Sequence, residues 1–300
     1  MGIGRRVFLK GLGAGIAGVT SGSILTPDKL GATESAGSKE IAGSEEFMGV
    51  LIDTTRCVGC RSCEVACAEA HNFPVPDIED ESVFETPRQP TESQWTVVNR
   101  FETEKGEVFV KKQCMHCNQP ACAAACLVNA MRKTKEGPVV WGENCMGCRY
   151  CMFSCPFDIP KFEYGKWNPK IQKCNLCWER LKKGEKPACV EACPEEALTF
   201  GSRRNMIEEA NRRIYGSPGE YVSHIYGEHE VGGTGYLYIS PVPFEQIGFP
   251  TDLGTTAYPE YTTGFLFSVP FVLILWPALL SGISYATKWK EEKRKEGGTR

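Results

Sequence analysis

Sixteen cysteines occur in this 300-residue chain, and they fall into four groups of four with none left over. The groups are Cys57, Cys60, Cys63 and Cys67; Cys114, Cys117, Cys122 and Cys126; Cys145, Cys148, Cys151 and Cys155; and Cys174, Cys177, Cys189 and Cys193. Thiols packed this densely suit three chemistries. Disulfides need Cα atoms within about 7 Å and converging side chains, and a run such as CMGCRYCMFSCP (145–156) cannot usefully cross-link itself. Structural zinc sites usually pair two C-x-x-C knuckles. A third cysteine two residues on, and a fourth three later, departs from that pattern.

The third chemistry fits. The spacing C-x2-C-x2-C-x3-C followed by proline is the iron–sulfur run of bacterial two-cluster ferredoxins, in which three thiolates wrap one cubane and the fourth reaches its neighbour. The first and third groups have this spacing in full. The second widens one gap to four residues (Cys117 to Cys122) and the fourth widens one to eleven (Cys177 to Cys189). Proline follows Cys155 and Cys193, whereas Ala68 and Leu127 follow the other two. Four groups imply four clusters.

Elements must position these thiols. Short apolar segments precede three groups: FMGVLID before Cys57, EVFVKK before Cys114 and PVVW before Cys145. Segments of this kind read as strands. Small-residue stretches such as PACAAACLVNAM suit short helices, and Cys126-Leu-Val-Asn-Ala-Met is echoed by Cys193-Pro-Glu-Glu-Ala-Leu. The expected fold class is α+β: tandem, nested ferredoxin-like units with insertions, plus one C-terminal transmembrane helix. Residues 71–106 are Pro- and acid-rich and read as an insertion loop. Within 201–262, MIEEANRRI reads as helix and VGGTGYLYISPVPFEQIGFP as strand and turn.

The two ends differ from the body. Arg5, Arg6, Phe8, Leu9 and Lys10 match the R-R-x-F-L-K pattern of a twin-arginine export signal ahead of a weakly apolar run. Cleavage is expected near Ala32 or Ala36. Gly13, Gly15 and Gly18 spell a dinucleotide fingerprint there, but no strand precedes it and the match is discarded. From Phe265 to Tyr285 the chain carries no charge. That run is long enough to cross a bilayer core of about 30 Å as a helix, and membrane helices tolerate prolines such as Pro270 and Pro277. Lys288, Lys290, Lys293, Arg294 and Lys295 follow it and place the tail in the cytoplasm. With the basic ends set aside, residues 37–286 sum to −8. An acidic body excludes nucleic acid as partner, since phosphate binding needs a basic face.

The expected organisation is a signal segment at 1–36, a four-cluster domain at 37–200, an extension at 201–262, a transmembrane helix at 263–286 and a basic cytoplasmic tail at 287–300. His116 sits between two ligands and is expected in a supporting or packing role, since each cubane already has four thiolates. Arg56, Arg61, Lys111, Lys112, Arg149 and Lys173 flank cysteines. They either offset cluster charge or form a solvated face. His71, His224 and His229 pair with no nucleophile, and the acidic run Asp77–Glu81 reads as a solvated loop. No hydrolytic triad, H-E-x-x-H or phosphate loop is present, so no catalytic site is expected.

KKQCMHCNQPAC and NCMGCRYCMFSCPFDIPKFEY resemble the core of the four-cluster ferredoxin subunits of membrane-bound respiratory oxidoreductases, among them those of dimethyl sulfoxide reductase and formate dehydrogenase. The export signal, the YGEHEVGGTGYLYIS segment and the single C-terminal apolar helix resemble the Hyb-type ferredoxin subunits of periplasmic nickel–iron uptake hydrogenases. The resemblance implies four [4Fe–4S] clusters with exchanged ligands. Cys57, Cys60, Cys63 and Cys193 hold the first; Cys174, Cys177, Cys189 and Cys67 the second. Cys114, Cys117, Cys122 and Cys155 hold the third; Cys145, Cys148, Cys151 and Cys126 the fourth. It implies an electron relay on the outer face of the cytoplasmic membrane, anchored by one helix. The relay would run between a periplasmic catalytic subunit, by preference a hydrogenase small subunit, and an integral membrane subunit that handles quinone. A molybdopterin enzyme acting on formate, dimethyl sulfoxide or a sulfur or nitrogen compound is the alternative partner. A membrane-tethered redox sensor or metal-binding interaction module is the alternative of a different class.

Overall fold

A computed structural model describes residues 46–297; the export-signal reading and the last residues of the tail lie outside them. The apolar run before the first cysteine group forms β1 (Met48–Asp53), followed by α1 (Ser62–His71), which carries Cys63 and Cys67. Strands β2 (Val97–Thr103) and β3 (Gly106–Lys112) make an antiparallel hairpin leading into the second group. The one-turn helix α2 (Ala121–Ala124) and the hairpin of β4 (Met131–Lys133) and β5 (Val139–Trp141) come next. The one-turn helix α3 (Tyr150–Phe153) and the small hairpin of β6 (Lys161–Phe162) and β7 (Ile171–Gln172) follow. Two further single turns, α4 (Trp178–Leu181) and α5 (Ala188–Glu191), flank the widened gap of the fourth group. Then come β8 (Leu198–Ser202), α6 (Arg203–Gly216), β9 (Tyr236–Ile239) and the long α7 (Tyr258–Gly297).

The three strands expected before cysteine groups are all present. What the chain does with β9 differs from a peripheral extension. β1 pairs antiparallel with β8 on one side and parallel with β9 on the other, Val50 facing Phe200 and Tyr236. β1 is thus the middle strand, covered on both faces, which is why its sequence is an almost unbroken apolar run. All four residues of β9 are buried. The segment after 201 therefore completes the central sheet. α6 packs Met206, Ala210 and Ile214, at helical spacing, against Leu51, Leu237 and Ile239.

The Pro- and acid-rich stretch 71–106 is tied down. Glu64, on α1 between two cysteines and 1% exposed, accepts from Arg61 Nε (3.3 Å), Arg88 Nη2 (2.7 Å), Gln94 Nε2 (2.8 Å) and the Val98 N–H (2.6 Å). Arg61, equally buried, donates to the carbonyls of Asp77 and Asp80. One buried carboxylate thus fastens both halves of the stretch to the cysteine helix. At the end of β1 the buried Asp53 does similar work for the first cysteine loop. It accepts from Thr55, Arg213 (3.0 Å) and Tyr221 (3.0 Å), drawing in α6.

α7 contains Pro270 and Pro277, and its apolar side chains from Phe265 to Tyr285 stand exposed. At 1.5 Å per residue its 40 residues span about 60 Å, roughly twice a bilayer core. Among the described residues it is the one helix long and apolar enough to cross a membrane.

Breaking a buried ion pair by removing one partner costs about 3–5 kcal/mol. Glu64→Ala strands the Arg61 guanidinium, and a thermal melt followed by circular dichroism should show a clearly lower midpoint. An unchanged midpoint contradicts the anchoring role.

Candidate functional site

The cysteine loops share one backbone device. The second residue inside the first C-x-x-C of each group is left-handed: Gly59 (φ 71), His116 (φ 49), Gly147 (φ 74) and Leu176 (φ 57). Glycine takes this conformation freely, but His116 and Leu176 adopt it against their side chains. The turn curls backbone N–H groups toward sulfur. The Gly147 N–H reaches Cys145 Sγ at 3.5 Å and the Leu176 N–H reaches Cys174 Sγ at 3.4 Å. After the fourth cysteine, three groups close with a second shared turn. Asn129, Asp158 and Glu196 are each left-handed, and each donates its N–H to the carbonyl of the cysteine three residues before it. The echo seen in the sequence is therefore a repeated backbone path.

All sixteen cysteines are free thiols. Their surroundings show which come together. Burial pushes the Cys57 thiol up to about 11, and Cys193 and Cys60 add to it. A cleft lined by Cys57, Cys60, Cys63 and Cys193, with Lys111 in its wall, lies between β1 and α1. Cys67 is pushed up by burial and then by Cys174, Cys189 and Cys177. Cys117 is raised by burial and by Cys114, Cys155 and Cys122. Cys151 rises to about 11 through burial, Cys145, Cys126 and Cys148. In each of these cases a last cysteine acts on, or is acted on by, thiols of another sequence group. Such effects also cross between these sets. Cys63 feels Cys189, Cys174 feels Cys114, and Cys122 feels Cys151.

Two kinds of metal centre make different demands on grouped thiols. A tetrahedral zinc ion with bonds of about 2.3 Å needs its sulfurs nearly in contact. Among the described residues no three His, Cys, Asp or Glu side chains converge tightly enough to hold a single ion. Sets of four thiols that sense one another without touching fit a larger inorganic core. Such a core also resolves the cost of burial. A thiol shifted this far upward stays protonated by itself, and metal binding supplies the positive charge that releases the proton.

Cations and donors surround the sets. Lys111 is 2% exposed and its ammonium has one hydrogen-bond partner, Gln113 Oε1 at 2.9 Å; Cys189, Cys63 and Cys174 are the charges that favour it. Lys173, also buried, donates to the carbonyls of Val139 and Cys174 and lowers the Cys122 and Cys155 thiols. Lys133 donates to the carbonyls of His116 and Cys117, each at 2.9 Å. Of the six basic residues flanking cysteines, Lys111 and Lys173 thus face thiols. Arg56 and Arg61 are paired with Asp53 and Glu64, and Arg149 is exposed over Phe162 and Tyr164. The Nδ1 of His116 accepts the Val139 N–H at 2.8 Å, which places its proton on Nε2. This agrees with a supporting role. His71 Nε2 lies 3.7 Å from Cys177 Sγ and its ring packs on Trp95, contacts its sequence neighbourhood did not suggest. Asp80 accepts from Ser82 in a solvated turn, as the acidic run implied.

Comparison with known proteins follows the same line. Residues 106–203 match the model of a 4Fe-4S dicluster domain. A protein of Nitratidesulfovibrio vulgaris is 46% identical over 294 residues, covering 96% of this chain and 78% of its own. The hydrogenase-2 operon protein HybA of Escherichia coli O157:H7 is 37% identical over 251 residues, 71% of this chain and 76% of that one. The iron-sulfur subunit of the nitrate-inducible formate dehydrogenase of Escherichia coli K12 is 37% identical over 202 residues, 63% of this chain and 66% of that one.

Proposed function

The chain belongs to the family of 4Fe-4S dicluster iron–sulfur subunits that includes HybA, and from that membership we propose that it relays electrons between a catalytic subunit and a membrane subunit. It carries [4Fe–4S] clusters and is an electron-transfer subunit with no catalytic centre of its own. When bound, each cluster takes up and releases one electron at a time. The chain's residues hold the clusters apart at fixed positions, exclude water and set the local charge.

The observation that carries the reading is that thiols of different sequence groups act on one another, which supports an exchange of fourth cysteines. We assign Cys57, Cys60, Cys63 and Cys193 to a first cluster and Cys174, Cys177, Cys189 and Cys67 to a second. Cys114, Cys117, Cys122 and Cys155 hold a third, and Cys145, Cys148, Cys151 and Cys126 a fourth. The mutual effects of Cys57 with Cys193, Cys67 with Cys174, Cys117 with Cys155 and Cys151 with Cys126 support it. The links from Cys63 to Cys189, Cys174 to Cys114 and Cys122 to Cys151 support a linear order, first to fourth. The two paired sets then correspond to two nested ferredoxin-like units.

The fourth cluster is the end assigned to the membrane. The start of α7 packs beside α2, and Gln119 donates to Glu260 at 2.9 Å. Around that end Leu127, Met146, Tyr150, Phe153 and Trp167 are exposed, a surface suited to burial against the membrane subunit. The first cluster then faces the catalytic subunit. A hydrogenase is preferred as that partner, because the match to HybA extends over 251 residues against 202 for the formate dehydrogenase subunit. The export signal, the apolar helix and the basic tail together support a cluster domain on the periplasmic face and a cytoplasmic C-terminus.

Low-temperature electron paramagnetic resonance of single variants tests the exchange. Cys155→Ser should perturb the same cluster signal as Cys117→Ser, and Cys148→Ser a different one shared with Cys126→Ser. Loss of one common signal in the Cys155 and Cys148 variants, with Cys117→Ser sparing it, means that each group closes on itself. The partner is tested by purification in mild detergent. A hydrogenase small subunit should accompany the chain, and a molybdopterin subunit in its place selects the alternative.

A further inference from the structure

Three large tyrosines are almost wholly buried near the thiol sets: Tyr226, Tyr236 and Tyr238. Two have their hydroxyls satisfied by protein. Tyr226 donates to the Pro250 carbonyl at 2.8 Å. Tyr238 donates to the Lys111 carbonyl at 2.9 Å and accepts from Gln113 Nε2 at 2.7 Å. The Tyr236 hydroxyl has no partner among the described residues, although the side chain is 0% exposed. A buried hydroxyl without an acceptor is costly and calls for an explanation.

Its position supplies one. Tyr236 opens β9, and its backbone N–H bonds the Met115 carbonyl inside the second cysteine group. Burial first, and then the fourth-group thiols Cys174, Cys189 and Cys177, push its hydroxyl up. The residue therefore joins the loop of one unit, through its backbone, to the thiols of the other, through its side chain. Its ring lies 5.9 Å from that of His116, and the Lys111 ammonium is 5.6 Å from its centroid. Among the described residues Lys111 itself has no carboxylate partner. A donor without an acceptor thus lies beside a cation that faces both the first thiol set and the one containing Cys174 and Cys189.

We propose that the Tyr236 hydroxyl donates a hydrogen bond to a sulfur of the cluster held by Cys67, Cys174, Cys177 and Cys189, and that it and the Lys111 ammonium raise that cluster's reduction potential. This rests on the ligand assignment proposed above. The physical basis is general: the reduced cluster carries one more negative charge, so a nearby donor or cation favours it. Tyr236 is a positioning and tuning residue and takes no part in bond making.

The test is a redox titration of the full chain in detergent, followed by electron paramagnetic resonance. Tyr236→Phe keeps the ring and removes one oxygen, so folding is preserved. The variant should lower the potential of one cluster, the one also perturbed by Cys177→Ser. The expected change is about tenfold in its reduced-to-oxidised ratio, about 59 mV for a one-electron couple. Lys111→Met should shift the same cluster in the same direction. Tyr226→Phe, which breaks a bond within the protein, should lower stability and leave all four potentials in place. If the wild-type signals are present and Tyr236→Phe moves none of them, the inference is wrong and the relay reading stands. If the wild-type chain shows no cluster signals, the relay reading itself fails.

Discussion

Four sets of sulfur ligands must share the interior of one small domain, and buried negative charge is expensive unless it is paired. The rest of the structure answers that constraint. Left-handed turns at Gly59, Gly147 and Leu176 bring backbone N–H groups round the sulfurs, adding donors without adding side chains. Lys111 and Lys173 add full positive charges where solvent is absent. Among the described residues neither ammonium has a carboxylate partner. Buried lysines elsewhere lose their charge readily; at Lys111 the Cys189, Cys63 and Cys174 thiols favour keeping it.

The same constraint shapes the scaffold. A relay works only if its stations stay at fixed separations, so the cysteine loops are held by rigid neighbours. Asp53 fixes the start of the first loop against α6. Glu64 fixes the helix that carries Cys63 and Cys67 against the long stretch that follows. The proposed exchange of fourth cysteines has a related consequence. A set that draws ligands from two distant groups lets no unit load independently, and the clusters would then hold the fold together as much as the fold holds them.

Much of this was legible in the sequence. The thiol grouping follows from spacing alone, and the strands before Cys57, Cys114 and Cys145 are short apolar runs bounded by turns. The apolar helix is visible by length and lack of charge. Other features were not legible, for physical reasons. β2 is interrupted by Asn99, whose side chain exchanges hydrogen bonds with the Arg88 backbone, and by Arg100, which pairs with Glu107 across the hairpin, so its pattern reads as loop. β9 reads as a strand, but only tertiary structure reveals that it returns to pair parallel with β1, close to 190 residues earlier. Lys111 alternates with apolar neighbours along β3, and nothing in that pattern says that a lysine points inward. Tyr236 looks like one more strand aromatic until its neighbours and its missing acceptor are known.

The account stands on four separate one-electron stations in one chain. Coulometric reduction of the purified full-length chain, with cluster signals quantified at each step, tests this most directly. Four electrons per chain are expected, with the signals broadening as neighbouring stations fill, as the proposed linear order requires. Uptake of two electrons or fewer by protein whose sixteen thiols are all metal-bound, or stoichiometric zinc in place of iron, contradicts it.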